Sequence, residues 1–139
     1  MHLVFVDSSF YIAFVHVRDA DHARALSLSR ELDVADVHYV TSPAVILEVL
    51  AYFSRLGPRL RERAALLAER LIDSTIVEIV VLDGTMFLTA VDLYRHRLDK
   101  RYSLADCLAM VICRDRGISD VLTTDRDFEA EGSTILLAD

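Results

Sequence analysis

The sequence predicts an α/β fold, a three-layer α/β/α sandwich around a parallel sheet of about five strands. Short apolar runs rich in β-branched residues alternate with longer stretches of helical period along the whole chain. Strands separated by helices pair in parallel through right-handed crossovers. The 139 residues, 53% of them hydrophobic, suit one compact domain spanning 1–139, near the commonest domain size of roughly 100–150 residues.

Residues 3–6 (Leu-Val-Phe-Val) read as a buried first strand. A helix follows over about 9–15 and another over about 19–32, where Ala23, Leu26 and Arg30 keep helical spacing. Residues 38–40 make a short second strand. Thr41-Ser42-Pro43 supplies a cap and a proline suited to the first turn, opening a helix that Gly57-Pro58 ends. Residues 59–73 continue as a separate helix with Leu60, Ala64, Leu67, Ala68 and Leu71 on one side. Residues 76–82 read as a third strand, closed by Asp83-Gly84. Two helices come next, over about 85–98 and 103–116, the second stopped by Gly117 as a left-handed C-terminal residue. Residues 121–123 and 134–137 complete the sheet, with a short helical turn over 127–130 between them. No repeat, linker or low-complexity segment interrupts this order.

Composition narrows the function classes. The two cysteines, Cys107 and Cys113, are six apart in one helix, form no metal or redox motif and read as buried small hydrophobes. The start Met-His-Leu-Val-Phe-Val-Asp lacks a basic region, and no apolar run approaches the ~20 residues of a membrane helix. A cytoplasmic location with no membrane association is expected. The net charge of −7 runs against a generic nucleic-acid surface. Lys100 is the only lysine, however, and the arginines gather as Arg55, Arg59, Arg61 and Arg63; Arg95, Arg97 and Arg101; Arg114 and Arg116. Arginine forks suit phosphate, although solvated helix faces collect arginine too.

Four carboxylates stand at the edges of apolar runs or inside them: Asp7, Glu48, Asp106 and Asp125. Burying ionised carboxylates costs several kcal/mol each unless something compensates, so four of them suggest a shared counter-ion, and a hard divalent cation is the natural one. Each acid also has an innocent explanation. Asp7 and Asp125 could cap the helices that follow, Glu48 could face solvent, and Ser103 to Asp106 has the form of a capping box. Asp127 could be a surface charge. These explanations would all have to hold together. Asp7 and Asp125 moreover follow strands, where ligands gather in open parallel sheets.

The chain resembles the PIN-domain ribonucleases, and within them the VapC-type toxins of bacterial and archaeal toxin–antitoxin pairs. Three segments carry the likeness: Val6-Asp7-Ser8-Ser9, Tyr102-Ser103-Leu104-Ala105-Asp106-Cys107 and Leu122-Thr123-Thr124-Asp125-Arg126-Asp127-Phe128. With Glu48, they match in order and spacing across nearly the whole chain. Residue 105 is alanine where relatives often have threonine. The resemblance implies a metal-dependent endoribonuclease in which Asp7, Glu48, Asp106 and Asp125 hold one or two Mg²⁺ or Mn²⁺ ions, Asp7 and Asp106 most directly. It implies that Ser9 orients Asp7 and that Thr123 plays a similar part; Asp127 is acidic in some relatives only. It further implies a small antitoxin over the acidic pocket and self-association, with residues 47–53 or 66–72 as contacts unless the core uses them.

The chemistry asks for such a site independently of the family. A cation beside a phosphodiester neutralises phosphate oxygens and acidifies its water, and oxygen ligands select Mg²⁺ or Mn²⁺. His2, His16, His22, His38 and His96 are scattered, none in HExxH-like spacing, which disfavours zinc and a covalent Ser/Cys–His mechanism. Two other classes stay open at this point. A phosphatase or receiver domain also carries an aspartate after the first strand, yet residue 9 is serine and no lysine lies near the late strands. A non-catalytic module could use the same fold to bind RNA or a partner.

Overall fold

In the computed structural model, which describes residues 2–137, the chain runs β1 (His2–Val6), α1 (Ser8–Val15), α2 (His22–Asp33), β2 (Val37–Thr41), α3 (Pro43–Phe53) and α4 (Pro58–Asp73). It continues through β3 (Val77–Ile79), α5 (Gly84–Arg95), α6 (Leu104–Arg116), β4 (Asp120–Leu122), α7 (Asp127–Ala130) and β5 (Thr134–Ile135). All five strands are parallel, in the order β3-β2-β1-β4-β5. This is the α/β architecture the sequence predicts.

The order positions the site. From β1 the chain steps outward through β2 to β3, then crosses back over the sheet to β4 and β5. Right-handed connections running in opposite directions lay α1–α4 over one face and α5 and α6 over the other, and the helices pack accordingly, α1 on α2 and α3, α3 on α4, α5 on α6. The chain order thus switches direction between β1 and β4, and the C-terminal ends of these two strands are where ligands gather in such sheets.

Apolar burial explains why β1 and α6 form the centre. Val4, Phe5 and Val6 are at most 1% exposed, as are Val121 and Leu122 of β4. A strand covered on both faces needs such a continuous apolar run rather than an alternating one. All seven residues from Cys107 to Cys113 are buried along α6, so both cysteines are buried free thiols, as their sequence setting predicts. Gly117 ends α6 at φ 65°, donating its N–H to the Arg114 and Cys113 carbonyls, which is the left-handed stop expected there.

Several boundaries differ from those read off the sequence. The second helix starts at His22 because the Asp19 carboxylate takes the Asp21 N–H and turns the chain first. Its inward face is Ala25, Leu28 and Leu32 rather than Ala23 and Arg30, both exposed. The third and fifth strands shorten to Val77–Ile79 and Thr134–Ile135, being edge strands paired on one side only; Val81 is 78% exposed. The fifth helix ends at Arg95, and residues 96–103 form an irregular link to α6. The two apolar stretches considered for self-association are mixed: Val49, Phe53 and Leu71 serve the core, whereas Leu47, Tyr52, Leu66 and Ile72 are exposed.

Candidate active site

Asp7 follows the last residue of β1 and is the N-cap residue of α1, yet its carboxylate makes no capping bond across the first turn. It is 6% exposed, and its Oδ2 accepts a 2.8 Å hydrogen bond from the Thr123 hydroxyl, in the segment leaving β4. The adjacent strands make this reach possible: Val6 is in register with Leu122, and the Asp7 N–H bonds to the Leu122 carbonyl. Thr123 Oγ1 also accepts the Asp125 N–H at 3.0 Å. Ser9 Oγ accepts the Thr124 N–H at 3.1 Å and stands 3.2 Å from Thr123 Oγ1. Because Thr123 spends its one proton on Asp7, the Ser9 hydroxyl is the donor in that last contact. Ser9 thus reaches Asp7 through Thr123, a route by which it could take the orienting part that the resemblance implies.

The other acids approach from three elements. Asp106 is the third residue of α6 and completes a capping box: Ser103 Oγ takes the Asp106 N–H at 3.1 Å, and Asp106 Oδ2 takes the Ser103 N–H at 2.9 Å. The innocent explanation for this residue is therefore real, but it uses one carboxylate oxygen and leaves the other. Asp125 Oδ1 accepts the Asp127 N–H at 2.9 Å. Glu48 projects from the middle of α3, and the nearby Ser8 hydroxyl favours its ionised form. Its exposed neighbours Leu47 and Ala51 show that apolar company in the sequence is no proof of burial there. Ser8 escaped the sequence reading as a site residue, although a second hydroxyl directly after Asp7 is the signal that could have found it.

These carboxylates feel one another. Burial, together with the charges of Asp106 and Asp125, pushes Asp7 up to about 6 despite the hydrogen bonds from Thr123 and the Ser8 backbone. Burial and the charges of Asp7 and Asp106 push Glu48 up to about 7. Asp125 is raised as well, chiefly by burial, with Asp127 and Asp106 contributing repulsion. Four acids from β1, α3, α6 and the segment after β4 thus share one field, and that field is unfavourable without a positive charge. Asp127 belongs to its edge.

The donor set fits a hard divalent cation. It consists of carboxylates alone, with no imidazole or thiolate in the group, and its buried member has one oxygen outside the Thr123 bond. Among the described residues no group of three or more His, Cys, Asp or Glu side chains is placed to hold a metal ion by itself. An open acidic cleft of this kind suits Mg²⁺, which keeps several waters and takes only one or two carboxylates directly. Asp7 and Asp106 would hold it, with Glu48 and Asp125 around its water shell.

Comparison with known proteins agrees with the fold. The chain is 29% identical over 135 residues to the 23S rRNA-specific endonuclease VapC20 of Mycobacterium tuberculosis, an overlap covering 94% of this chain and 95% of that one. The crystal structure of VapC20, described as a sarcin-ricin loop cleaving toxin, superposes with a TM-score of 0.80 at 28% identity, over 94% of this chain and 96% of that one. VapBC2 from Rickettsia felis, solved bound to a DNA fragment from its promoter, shares the fold at a TM-score of 0.67 and 12% identity, over 96% and 97% of the two chains. The FitAcB structure from Neisseria gonorrhoeae does so at 0.64 and 17%, over 96% of each chain. The PIN domain family model matches residues 4–131, and the chain belongs to the PIN-domain family.

Proposed function

We propose that this protein is an endoribonuclease that hydrolyses RNA phosphodiester bonds with Mg²⁺ or Mn²⁺, and that it is the toxin of a type II toxin–antitoxin pair. The observation that carries the reading is the Asp7 carboxylate at the end of β1, held by Thr123 and raised first by its burial and then by its acidic neighbours. A protein keeps such an uncompensated cluster where a cation completes it. The likeness to VapC20 over nearly the full length makes ribosomal RNA the first substrate to try.

The residues divide the work. A divalent cation, when bound, neutralises phosphate oxygens and lowers the pKa of its water. Asp7 and Asp106 would hold it through their carboxylate oxygens. Thr123 fixes the Asp7 rotamer, Ser9 fixes Thr123, and the capping box holds Asp106 at the start of α6. Glu48 and Asp125, which share the same field of charge, would complete the set of carboxylates around it. Arg55, Arg59, Arg61 and Arg63 lie exposed around the turn after the Glu48 helix and meet the RNA backbone. With water as nucleophile, the products carry 5′-phosphate and 3′-hydroxyl ends. A small antitoxin with a basic segment would occupy the same acidic cleft, and its arginine would take the place of the cation's charge. Such a nuclease works in the cytoplasm; no helix among the described residues is long and apolar enough to cross a membrane.

Incubating total RNA and ribosomes with purified protein in Mn²⁺ or Mg²⁺, beside EDTA and Asp7→Asn/Asp106→Asn controls, tests the reading. Discrete, metal-dependent cleavage absent from the variant supports it. Cyclic 2′,3′-phosphate ends, or cleavage that survives EDTA, overturn it.

A further inference from the structure

Outside the four acids, the most completely bonded polar cluster joins the irregular link before α6 to the end of α7. Tyr102 is 4% exposed, and its hydroxyl donates to Glu131 Oε2 at 2.9 Å while standing 3.4 Å from the Asp127 carbonyl oxygen. Arg97 grips the same carboxylate with two forks, Nε to Oε2 at 3.1 Å and Nη2 to Oε1 at 3.2 Å, and its Nη1 donates to the His96 carbonyl at 3.2 Å. Both oxygens of Glu131 are therefore engaged.

The cluster's place in the chain gives it meaning. Tyr102 directly precedes Ser103, the N-cap of the helix whose third residue is Asp106. Glu131 is the C-cap residue of the single-turn α7, which begins two residues after Asp125. A four-residue helix cannot hold itself in place, and the strand after it has only two residues. Phe128, fully buried, fixes how deep α7 sits. Backbone bonds from Thr134 and Leu136 and the bond from the Asp125 N–H to Thr123 tie the segment to the sheet; the Glu131 bonds are the ones that tie it to the link before α6.

We propose that Arg97, Tyr102 and Glu131 form a positioning clamp that sets the spacing of Asp125 from Asp106 and so tunes how tightly the cleft binds its divalent cation. The inference rests on the metal-dependent reading above. Partners that orient ligating carboxylates are typically worth about 10–100-fold in metal affinity. Bidentate arginine–carboxylate pairing adds geometric definition that a single bond lacks.

The test is Mn²⁺ affinity, read from the electron paramagnetic resonance signal of free Mn²⁺, for wild type, Tyr102→Phe, Glu131→Ala and Glu131→Gln. Cleavage kinetics at graded Mn²⁺ accompany it. Tyr102→Phe and Glu131→Ala should weaken Mn²⁺ binding about 10-fold, leave the KM for RNA little changed, and recover kcat at saturating Mn²⁺. Glu131→Gln, which still accepts through one oxygen, should fall between. If Glu131→Ala does not fold, Tyr102→Phe, which deletes a single oxygen, carries the comparison. Wild-type Mn²⁺ affinity in Tyr102→Phe, with or without a drop in melting temperature, overturns the clamp and leaves the nuclease reading standing. A wild-type protein that binds no Mn²⁺ overturns both.

Discussion

Removing the buried acid of the site should make the metal-free protein more stable. Asp7 is 6% exposed and its carboxyl is pushed from the ordinary 3.8 up to about 6, first by burial and then by the charges of Asp106 and Asp125. A raised carboxylate pKa means that the folded state holds the proton more tightly than the unfolded chain does. Stability contributed by that group is therefore highest below pH 4, declines as pH rises from about 4 to 6, and reaches its full penalty above 6. Two pKa units correspond to about 3 kcal/mol at pH 8, and the same relation leaves about 1 kcal/mol at pH 4.5. Asp7→Asn removes the charge, keeps an oxygen for the Thr123 hydroxyl, and offers an amide that the neighbouring carboxylates can accept. Urea unfolding in EDTA, followed by circular dichroism, should show the variant more stable by up to about 3 kcal/mol at pH 8 and by about 1 kcal/mol at pH 4.5. Near pH 8 this is about 10 °C in melting temperature for a chain of this size. Mg²⁺ or Mn²⁺ should reverse the order once it reaches about 1,000 times its Kd, where it adds about 4.1 kcal/mol to the protein that binds it. A variant less stable than wild type at pH 8, or a difference independent of pH, would refute the claim that Asp7 is an uncompensated buried charge.

Further outcomes follow from the same geometry. Thr123→Val leaves Asp7 Oδ2 and the Asp125 N–H without their shared hydroxyl; it should cost about 1–3 kcal/mol in urea unfolding and weaken Mn²⁺ binding measured by calorimetry. Ser9→Ala, one bond further out, should cost less on both scales. Because Glu48 is also raised, to about 7, metal affinity should climb steadily from pH 5.5 to 8 as the cleft acids lose their protons; calorimetry giving a flat profile would show that they are already ionised. Charge reversal by Arg59→Glu with Arg61→Glu, made on the Asp7→Asn background, should weaken binding of a single-stranded RNA and flatten its log Kd against log salt slope by about 0.7 per lost phosphate contact. Phe53→Ala, at a fully buried ring, should cost about 3–5 kcal/mol in the same unfolding assay, without altering the pH dependence of metal binding.

Much of this molecule is legible in the chain because its signals are local. The apolar run of β1, the Ser42-Pro43 start of α3, the capping box of α6 and the Gly117 stop each depend on residues within one turn of one another, and each stands where the sequence puts it. The element ends that moved depend on distant partners. Edge strands β3 and β5 shorten because no strand pairs beyond them, and the face of α2 turns on what α1 presents to it. The same division runs through the site. Asp7, Glu48, Asp106 and Asp125 could be picked out as acids in apolar settings, but the Thr123 hydroxyl reaches Asp7 across 116 positions of sequence, and that pairing exists only once β1 and β4 lie side by side. Glu131 carries no sequence signal at all, since an acid near the chain's end is ordinary until Arg97 and Tyr102 meet it.

The arrangement also explains how an acidic protein can act on a polyanion. At −7 overall, the chain repels RNA at long range, and much of the repulsion near the site comes from the acids that a cation would offset. Several arginines are already committed within the protein: Arg97 to Glu131, Arg114 to Asp115 and Arg116 to Glu78. Arg55, Arg59, Arg61 and Arg63 have no such partner among the described contacts, and they cluster at the turn between α3 and α4. Positive charge is thus available beside the helix that carries Glu48, and Arg95, Lys100 and Arg101, exposed before α6, add to it. Binding should then depend on metal and on that turn together: RNA affinity of the Asp7→Asn variant should lose most of its dependence on divalent cation, whereas wild-type affinity should fall sharply when EDTA unmasks the cleft. Equal RNA affinity of the wild type with and without divalent cation, at matched ionic strength, would mean that the acidic cleft does not lie on the RNA path.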